Sequence, residues 1–430
     1  MNHIYKSVGV AVLMLASMAL PQASQAQDPV VTLPEARRLT IAVDPDAVAA
    51  RSQSATAAWE RRAAITNVLT PSVSAGASYI RHSEPFFNLG TGDISPNATS
   101  ATLQARYTLL GTGKFGGLRS ARASVDRAEA NEIATRFESW LETDAAYFDV
   151  LANRELARVA GDRLRRAEEQ FEIARMRVLA GEAIASDSLQ LLLEVNRARL
   201  DVLSRDSALV ASRLRLGHRV GLSRGADAAP IDTAIPPALP MSQDEVISEV
   251  RVRGPQIEAA RASERFASAA LGAERERYLP EITLDATLGA YDAELFPSAL
   301  HRSQVAVTVT LPIWNGGQRE LSVARARADR SVAIAERQER ERAAAEVVAQ
   351  AYQGYVTSRA AIDLAHVGVT VSGENYRVQR VRYAEGAGTI LDLLEAQVSL
   401  SEAEASLVQS RYASHLALAR IEALLGRRVE

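Results

Sequence analysis

Four stretches alternate apolar and polar residues with a period of two. Val73, Ala75, Ala77 and Tyr79 alternate with Ser72, Ser74, Gly76 and Ser78. Leu103, Ala105, Tyr107 and Leu109 alternate with Thr102, Gln104, Arg106 and Thr108. In the second half Ile282, Leu284, Ala286 and Leu288 alternate with Thr283, Asp285, Thr287 and Gly289. Val305, Val307, Val309 and Leu311 then alternate with Gln304, Ala306, Thr308 and Thr310. One apolar and one polar face predict half-buried strands at about 72–81, 101–110, 281–290 and 303–312. Each has about the 9–11 residues of a membrane-barrel strand.

Most of the remainder reads as helix. No proline lies between Pro96 and Pro230, and none follows Pro312. Proline breaks helix interiors, so both gaps permit very long helices. The pattern predicts them over 118–180 and 318–385, the first about 95 Å long at 1.5 Å per residue. Gly354, Gly368 and Gly373 predict a looser second rod. Glycine pairs at Phe115-Gly-Gly117 and Trp314-Asn-Gly-Gly317 are the expected strand-to-helix turns. Shorter helical runs precede the strands, to about Val68 and from Ser242 to Tyr278. The return helices, 188–220 and 393–426, carry a seam stepping by four and three. Leu189, Leu193, Asn196, Leu200, Leu203, Ser207, Val210 and Leu214 form it first; Leu394, Val398, Ser401, Ala405, Val408 and Tyr412 form its copy.

The chain is therefore duplicated. Gly181 and Gly386, like Asp187 and Asp392, stand 205 residues apart. Pro45 and Pro255 are 210 apart, and Leu216-Gly and Leu425-Gly end the copies 209 apart. The expected division is a first repeat over 27–225, a linker over 226–240 and a second repeat over 241–430. Sharp turns at 181–187 and 386–392 join the long helices to the return helices. Gly386 and Gly388 break the helix, and Thr389 is placed to cap the next, with Asp392 in its acidic first turn.

The first 26 residues read as a signal peptide: Lys6, an apolar run from Val8 to Leu20, then Ala23-Ser-Gln-Ala26. That run is too short for a membrane anchor, so any membrane entry must be as strands. The chain has no cysteine, which excludes disulfides, thiolate metal sites and a lipidated cysteine. A formal charge of -3 on the whole chain gives no sign of nucleic-acid binding. Six scattered histidines and the absence of a nucleophile elbow or phosphate loop argue against an enzyme. Gly111-Thr-Gly-Lys-Phe-Gly-Gly117 is rich in glycine but lacks phosphate-loop spacing. No cofactor or metal is expected.

Four membrane strands cannot close a barrel, and an open edge in lipid leaves backbone groups unpaired. The chain must oligomerise: two copies give eight strands with a filled interior, three give twelve with a lumen. The rival without a barrel is a periplasmic coiled-coil adaptor. Long hairpin loops at 82–98 and 292–302, with Phe86, Phe87, Phe296 and Pro297, suit an extracellular face.

With its tip segment Tyr383-Ala-Glu-Gly386, Asp392-Leu-Leu-Glu-Ala-Gln397 and the echo Gly181–Asp187, the mature chain resembles the TolC-like outer membrane efflux family. The resemblance implies a mainly α fold with a small β-barrel. It implies a homotrimer that completes twelve strands in the outer membrane above a long periplasmic helical tunnel. It also implies a periplasmic adaptor and an inner-membrane pump as partners, with export of drugs, metal ions or, in type I secretion, proteins. Tyr383, Asp392 and Glu395, with Ser186 and Asp187, match residues that close or line the periplasmic entrance in relatives. Gly181, Gly386, Gly388 and Leu391 match the tip turn that docks the adaptor. Where a relative has a closing arginine this chain has Gly388, and Arg382 and Arg175 are the candidates to replace it. Three copies would gather Asp392 and Glu395 around one mouth, where like charges attract cations; both residues equally suit the acidic start of a helix.

Overall fold

The computed structural model describes residues 28–87, 92, 94–111, 113–231, 236, 238–292 and 300–429. The signal peptide, Phe296 and Pro297 lie outside the described residues. In chain order come β1 (Val30–Val31), α1 (Leu33–Val43), α2 (Pro45–Leu69), β2 (Ser72–Phe87), β3 (Ile94–Leu110), α3 (Lys114–Leu179) and α4 (Ala185–Arg219). Next are β4 (Asp227–Ala228), α5 (Gln243–Arg253), α6 (Pro255–Arg275), β5 (Glu281–Asp292), β6 (Leu300–Thr310), α7 (Gln318–Ala384) and α8 (Ile390–Leu425). Among the described residues no helix is long and apolar enough to cross a membrane.

The short helical runs before the strands are each broken once. Pro45 and Pro255 open α2 and α6, because proline starts a helix readily and disfavours helix at the preceding residue. Asp44 caps α2 by accepting the Asp46 N–H at 3.0 Å. The long helices are not broken. α7 runs continuously through Gly354, Gly368 and Gly373. The last two face α8: a Cβ there would lie 3.9 Å from Ala403 Cβ and 3.8 Å from Leu400 Cδ1. A methyl group would fit at ordinary contact distance at both positions, so these glycines neither interrupt the helix nor are required by its packing.

β1 and β4 form a separate parallel pair; the four long strands form one antiparallel sheet in the order β2-β3-β5-β6, so the two hairpins join through β3 and β5. β2 and β3 extend beyond the predicted spans, converting much of the expected first loop into strand. Their register keeps the alternation across all four strands. One face carries the rung Val73, Ala105, Ala286 and Val305; the other carries Ser74, Gln104, Thr287 and Gln304. On the polar face Arg106 Nε donates to Asp285 Oδ1 at 2.6 Å. β2 and β6 are the unpaired edges of this sheet within the chain.

The turn into α3 uses a different glycine from the predicted pair. Gly113 has φ +80° immediately before the helix, while Gly116 and Gly117 lie inside the first turn. Gly116 is needed for space: a Cβ would sit 2.6 Å from Ala273 Cα on α6. The glycine-rich lysine segment is thus a strand-to-helix turn, with Lys114 donating to the Thr108 carbonyl.

α3 pairs with α4, α7 with α8, and α3 meets α8, giving the lateral order α4-α3-α8-α7. Tyr147, Leu151, Leu216 and Val408 belong to one buried cluster; Val246, Val348, Tyr355 and Ile421 belong to its counterpart in the second half. A third cluster, including Ala174, Leu191, Tyr376, Tyr383 and Leu393, lies near the helix tips.

Candidate functional site: the helix tips and the open flanks

The two tip turns match bond for bond. In the first, Ala180 N–H donates to Met176, Gly181 to Val178 and Glu182 to Arg177, at 3.0, 3.0 and 2.9 Å. In the second, Glu385 donates to Val381, Gly386 to Tyr383 and Ala387 to Arg382, at 3.0, 3.1 and 2.8 Å. Every donor and acceptor moves by 205 residues. Gly181 and Gly386 have φ of +79° and +73°, the left-handed conformation that glycine enters without a Cβ clash.

The turns differ in how the next helix begins. Asp392 accepts from Thr389 N at 3.2 Å and Thr389 Oγ1 at 2.8 Å, and its own N–H returns to Thr389 Oγ1. These bonds, with the Thr389 hydroxyl foremost, hold the Asp392 carboxyl below the usual carboxylate range. Ile184 occupies the corresponding place before α4 and supplies no side-chain cap. The second tip is therefore the more firmly closed turn.

Tyr383 is not an exposed lining residue within the chain. It is 2% exposed and packed between the hairpins. Burial pushes its phenol up, the charge of Asp187 adds to this, and Arg177 opposes it. Asp187 is half-buried, whereas Ser186, Asp392 and Glu395 are exposed. Leu391 is exposed at the start of α8. Gly388 is crowded: a Cβ there would stand 3.1 Å from Arg382 Cβ and 3.3 Å from Tyr383 N.

Neither expected substitute for an arginine at that position crosses between the hairpins. Arg175 pairs with Glu172 on its own helix at 2.8 Å. Among the described residues Arg382 donates hydrogen bonds only to Gln379 and the Ala387 carbonyl, at 3.4 and 3.3 Å. The crossing residue is Arg177, which donates to the Tyr383 carbonyl and lies 5.2 Å from the centre of its ring. Neither periodicity nor the reading of the repeat marked Arg177, although the repeat carried the signal: Arg177 stands 205 residues before Arg382.

The seam on α4 faces outward, contrary to packing within the chain. Leu200 is 68% exposed and Leu203 63%, with Leu189, Leu193, Val210 and Leu214 also exposed. α4 instead packs on α3 through residues including Leu191, Val195, Ala198 and Leu216. The matching seam on α8 is covered where Ser401, Val408 and Tyr412 are buried. The far flank shows the same contrast. Val159 on α3 is 7% exposed, but its repeat partner Leu364 on α7 is 74% exposed, as are Val367 and Val371 in large part.

A family model described as outer membrane efflux protein matches residues 38–221 and 246–427, one segment in each half. The probable efflux pump outer membrane protein TtgC of Pseudomonas putida is 26% identical over 359 residues, covering 80% of this chain and 72% of TtgC. The pyoverdine export outer membrane protein OpmQ of Pseudomonas aeruginosa is 28% identical over 356 residues, 78% of this chain and 71% of OpmQ. The solved outer membrane protein VceC of Vibrio cholerae superposes with a TM-score of 0.77 at 19% identity, over 93% of this chain and 97% of VceC. The outer-membrane channel OprN superposes with a TM-score of 0.78 at 21% identity, over 92% and 89%.

Proposed function

The chain belongs to the outer membrane efflux protein family, and on that footing we propose that three copies close into one duct carrying cargo from the periplasm to the outside. The observation that carries this reading is the uncovered seam on α4. Its repeat equivalent on α8 is covered by α3 of the same chain. The repeat equivalent of α3 is α7, so the partner of α4 is α7 of the next copy. Leu203 of one copy then meets the region of Leu364 of its neighbour, as Val408 and Val159 share one core inside the chain. The sheet edges β2 and β6 pair between copies by the same operation. Three chains give twelve strands, with apolar rungs toward lipid and Ser74, Gln104, Thr287 and Gln304 toward water.

The tips at Gly181 and Gly386, with Leu391 exposed beside them, are the surface offered to a periplasmic adaptor and, through it, an inner-membrane pump. Tyr383, Asp392, Glu395, Ser186 and Asp187 sit at the entrance. Similarity to an efflux-pump component favours efflux over protein secretion.

A charge on the seam tests ring closure. Leu203→Glu is expected to yield monomers in detergent and no channels in planar bilayers, while the unaltered chain gives a heat-modifiable trimer. A trimer that persists in Leu203→Glu refutes the seam.

A further inference from the structure

α6 and α8 stand in one slot between α3 and α7, each packing on both long helices. The C-terminal end of α8 meets the N-terminal end of α6 there. Gly426 closes α8 with φ +70°, and a Cβ on it would lie 2.7 Å from Pro255 Cγ at the head of α6. Two helix ends do not fill a slot as one continuous helix does. A cavity of about 350 Å³ remains between α3 and α7, within the roughly 300–1,000 Å³ range of small-molecule sites. Phe137, Leu141, Val347 and Leu424 give it an apolar lining. Glu138 and Arg420 are its two charged residues, and both are exposed. Among the described residues neither has a hydrogen-bond or ion-pair partner.

The cavity looks away from the short helices. On α3, Trp140, Thr143 and Asp144 hold α1 through contacts with Arg37 and Thr40. At about 100° per residue, Glu138 stands roughly half a turn from them. On α7, Val348 and Tyr355 share one core with Val246 of α5. Gln350, which lines the cavity, stands roughly half a turn from them. In a closed ring α1 and α5 lie outside, because the bore stays clear. Glu138 and Gln350 then face the bore.

Resting on the duct reading, we propose that this cavity is a cargo seat in the channel wall, for small zwitterions with an aromatic or alkyl body. The body packs on Phe137, Leu141, Val347 and Leu424. An ammonium answers Glu138 and a carboxylate answers Arg420. A lone cation meets repulsion from Arg420, and a lone anion meets it from Glu138. One copy forms the whole cavity, so a trimer carries the seat in each subunit.

Nε-dansyl-L-lysine carries both charges and an aromatic body whose emission rises in apolar surroundings. Added to the chain in lipid nanodiscs, it should give saturable, blue-shifted emission above that of protein-free discs. Ala423→Trp, which fills the cavity, should abolish this signal while trimer heat stability holds. Glu138→Gln and Arg420→Gln, both at exposed positions, should each weaken binding about two- to fivefold, the reach of an exposed ion pair. Uncharged dansylamide should bind several-fold more weakly, and Glu138→Gln should leave its binding unchanged. A trimer that gives no saturable signal, or the same affinity in Ala423→Trp, overturns the seat alone. Dansylamide binding as tightly as dansyl-lysine overturns the assignment to zwitterions. A chain that forms no trimer overturns the duct reading and the seat with it.

Discussion

Arg37 on α1 and Asp144 in the middle of α3 form a buried two-bonded ion pair: Nε donates to Oδ1 at 2.7 Å, and Nη2 donates to Oδ2. Glu422 of α8 lies 3.9 Å from the same Nη2, so one guanidinium ties the first helix to both repeats. Breaking a buried pair from one side leaves an uncompensated charge, at about 3–5 kcal/mol, whereas replacing both partners by apolar groups is often near neutral. Arg37→Met should lower the heat-dissociation temperature sharply, and adding Asp144→Leu should recover most of the loss. Equal losses in the single and double variants would show that the pair is not coupled.

His415 on α8 packs beside Phe148, with ring centroids 5.5 Å apart. Burial lowers its pKa, so the folded chain favours the neutral ring. A base with a depressed folded-state pKa stabilises above its unfolded value, and that contribution is lost as pH falls from about 6.5 toward the depressed value. Mild acid should therefore weaken the middle of the rod. His415→Gln should flatten stability between neutral and mildly acid pH. An unchanged slope in that variant would assign the acid sensitivity to other groups.

The rods, the hairpins and the duplication were legible because each leaves a periodic mark: absent prolines, two-residue alternation, or a constant offset. Partner choice was not. Leucines at heptad spacing on α4 announce a seam, but the same spacing serves a helix of this chain or of another copy. Only the contrast between Leu203 and Val408 separates the two. The burial of Tyr383 between the hairpins was not legible, because packing between hairpins has no sequence period. Arg177 was missed in an arginine-rich helix for the same reason. The turn at Gly113 rather than Gly116–Gly117 depended on how closely α6 approaches α3, a contact between distant segments.

Val307 and Thr308 are adjacent on β6 and point to opposite faces of the sheet. Val307 pairs with Leu284, and Thr308 pairs with Thr283. In the proposed barrel Val307 meets lipid, where a cation costs about 2–4 kcal/mol near the midplane, and Thr308 meets water. Val307→Arg should sharply reduce trimer in the outer membrane. Thr308→Arg should assemble normally and shift ion selectivity toward anions. Matching assembly defects in both would mean that the faces are assigned wrongly.

Asp392 serves two roles that one substitution cannot separate. Its carboxylate closes the capping box with Thr389, and three copies would bring three such charges to the mouth. Asp392→Ala removes both roles, and should loosen the tip and weaken cation block together. Asparagine keeps an oxygen for the Thr389 N–H but carries no charge. Asp392→Asn should therefore hold basal conductance near that of the unaltered chain while cation block falls. The acid limb follows from the same hydrogen bonds. Because Thr389 holds the folded-state pKa of Asp392 below its usual range, the cap is fully present above that range and lost as pH falls through the depressed value. Opening driven by loss of the cap should appear only in strongly acid solution and be absent from Thr389→Val, whose conductance should already be raised at neutral pH. Cation block in Asp392→Asn equal to that of the unaltered chain would leave the cap as the only role of this residue.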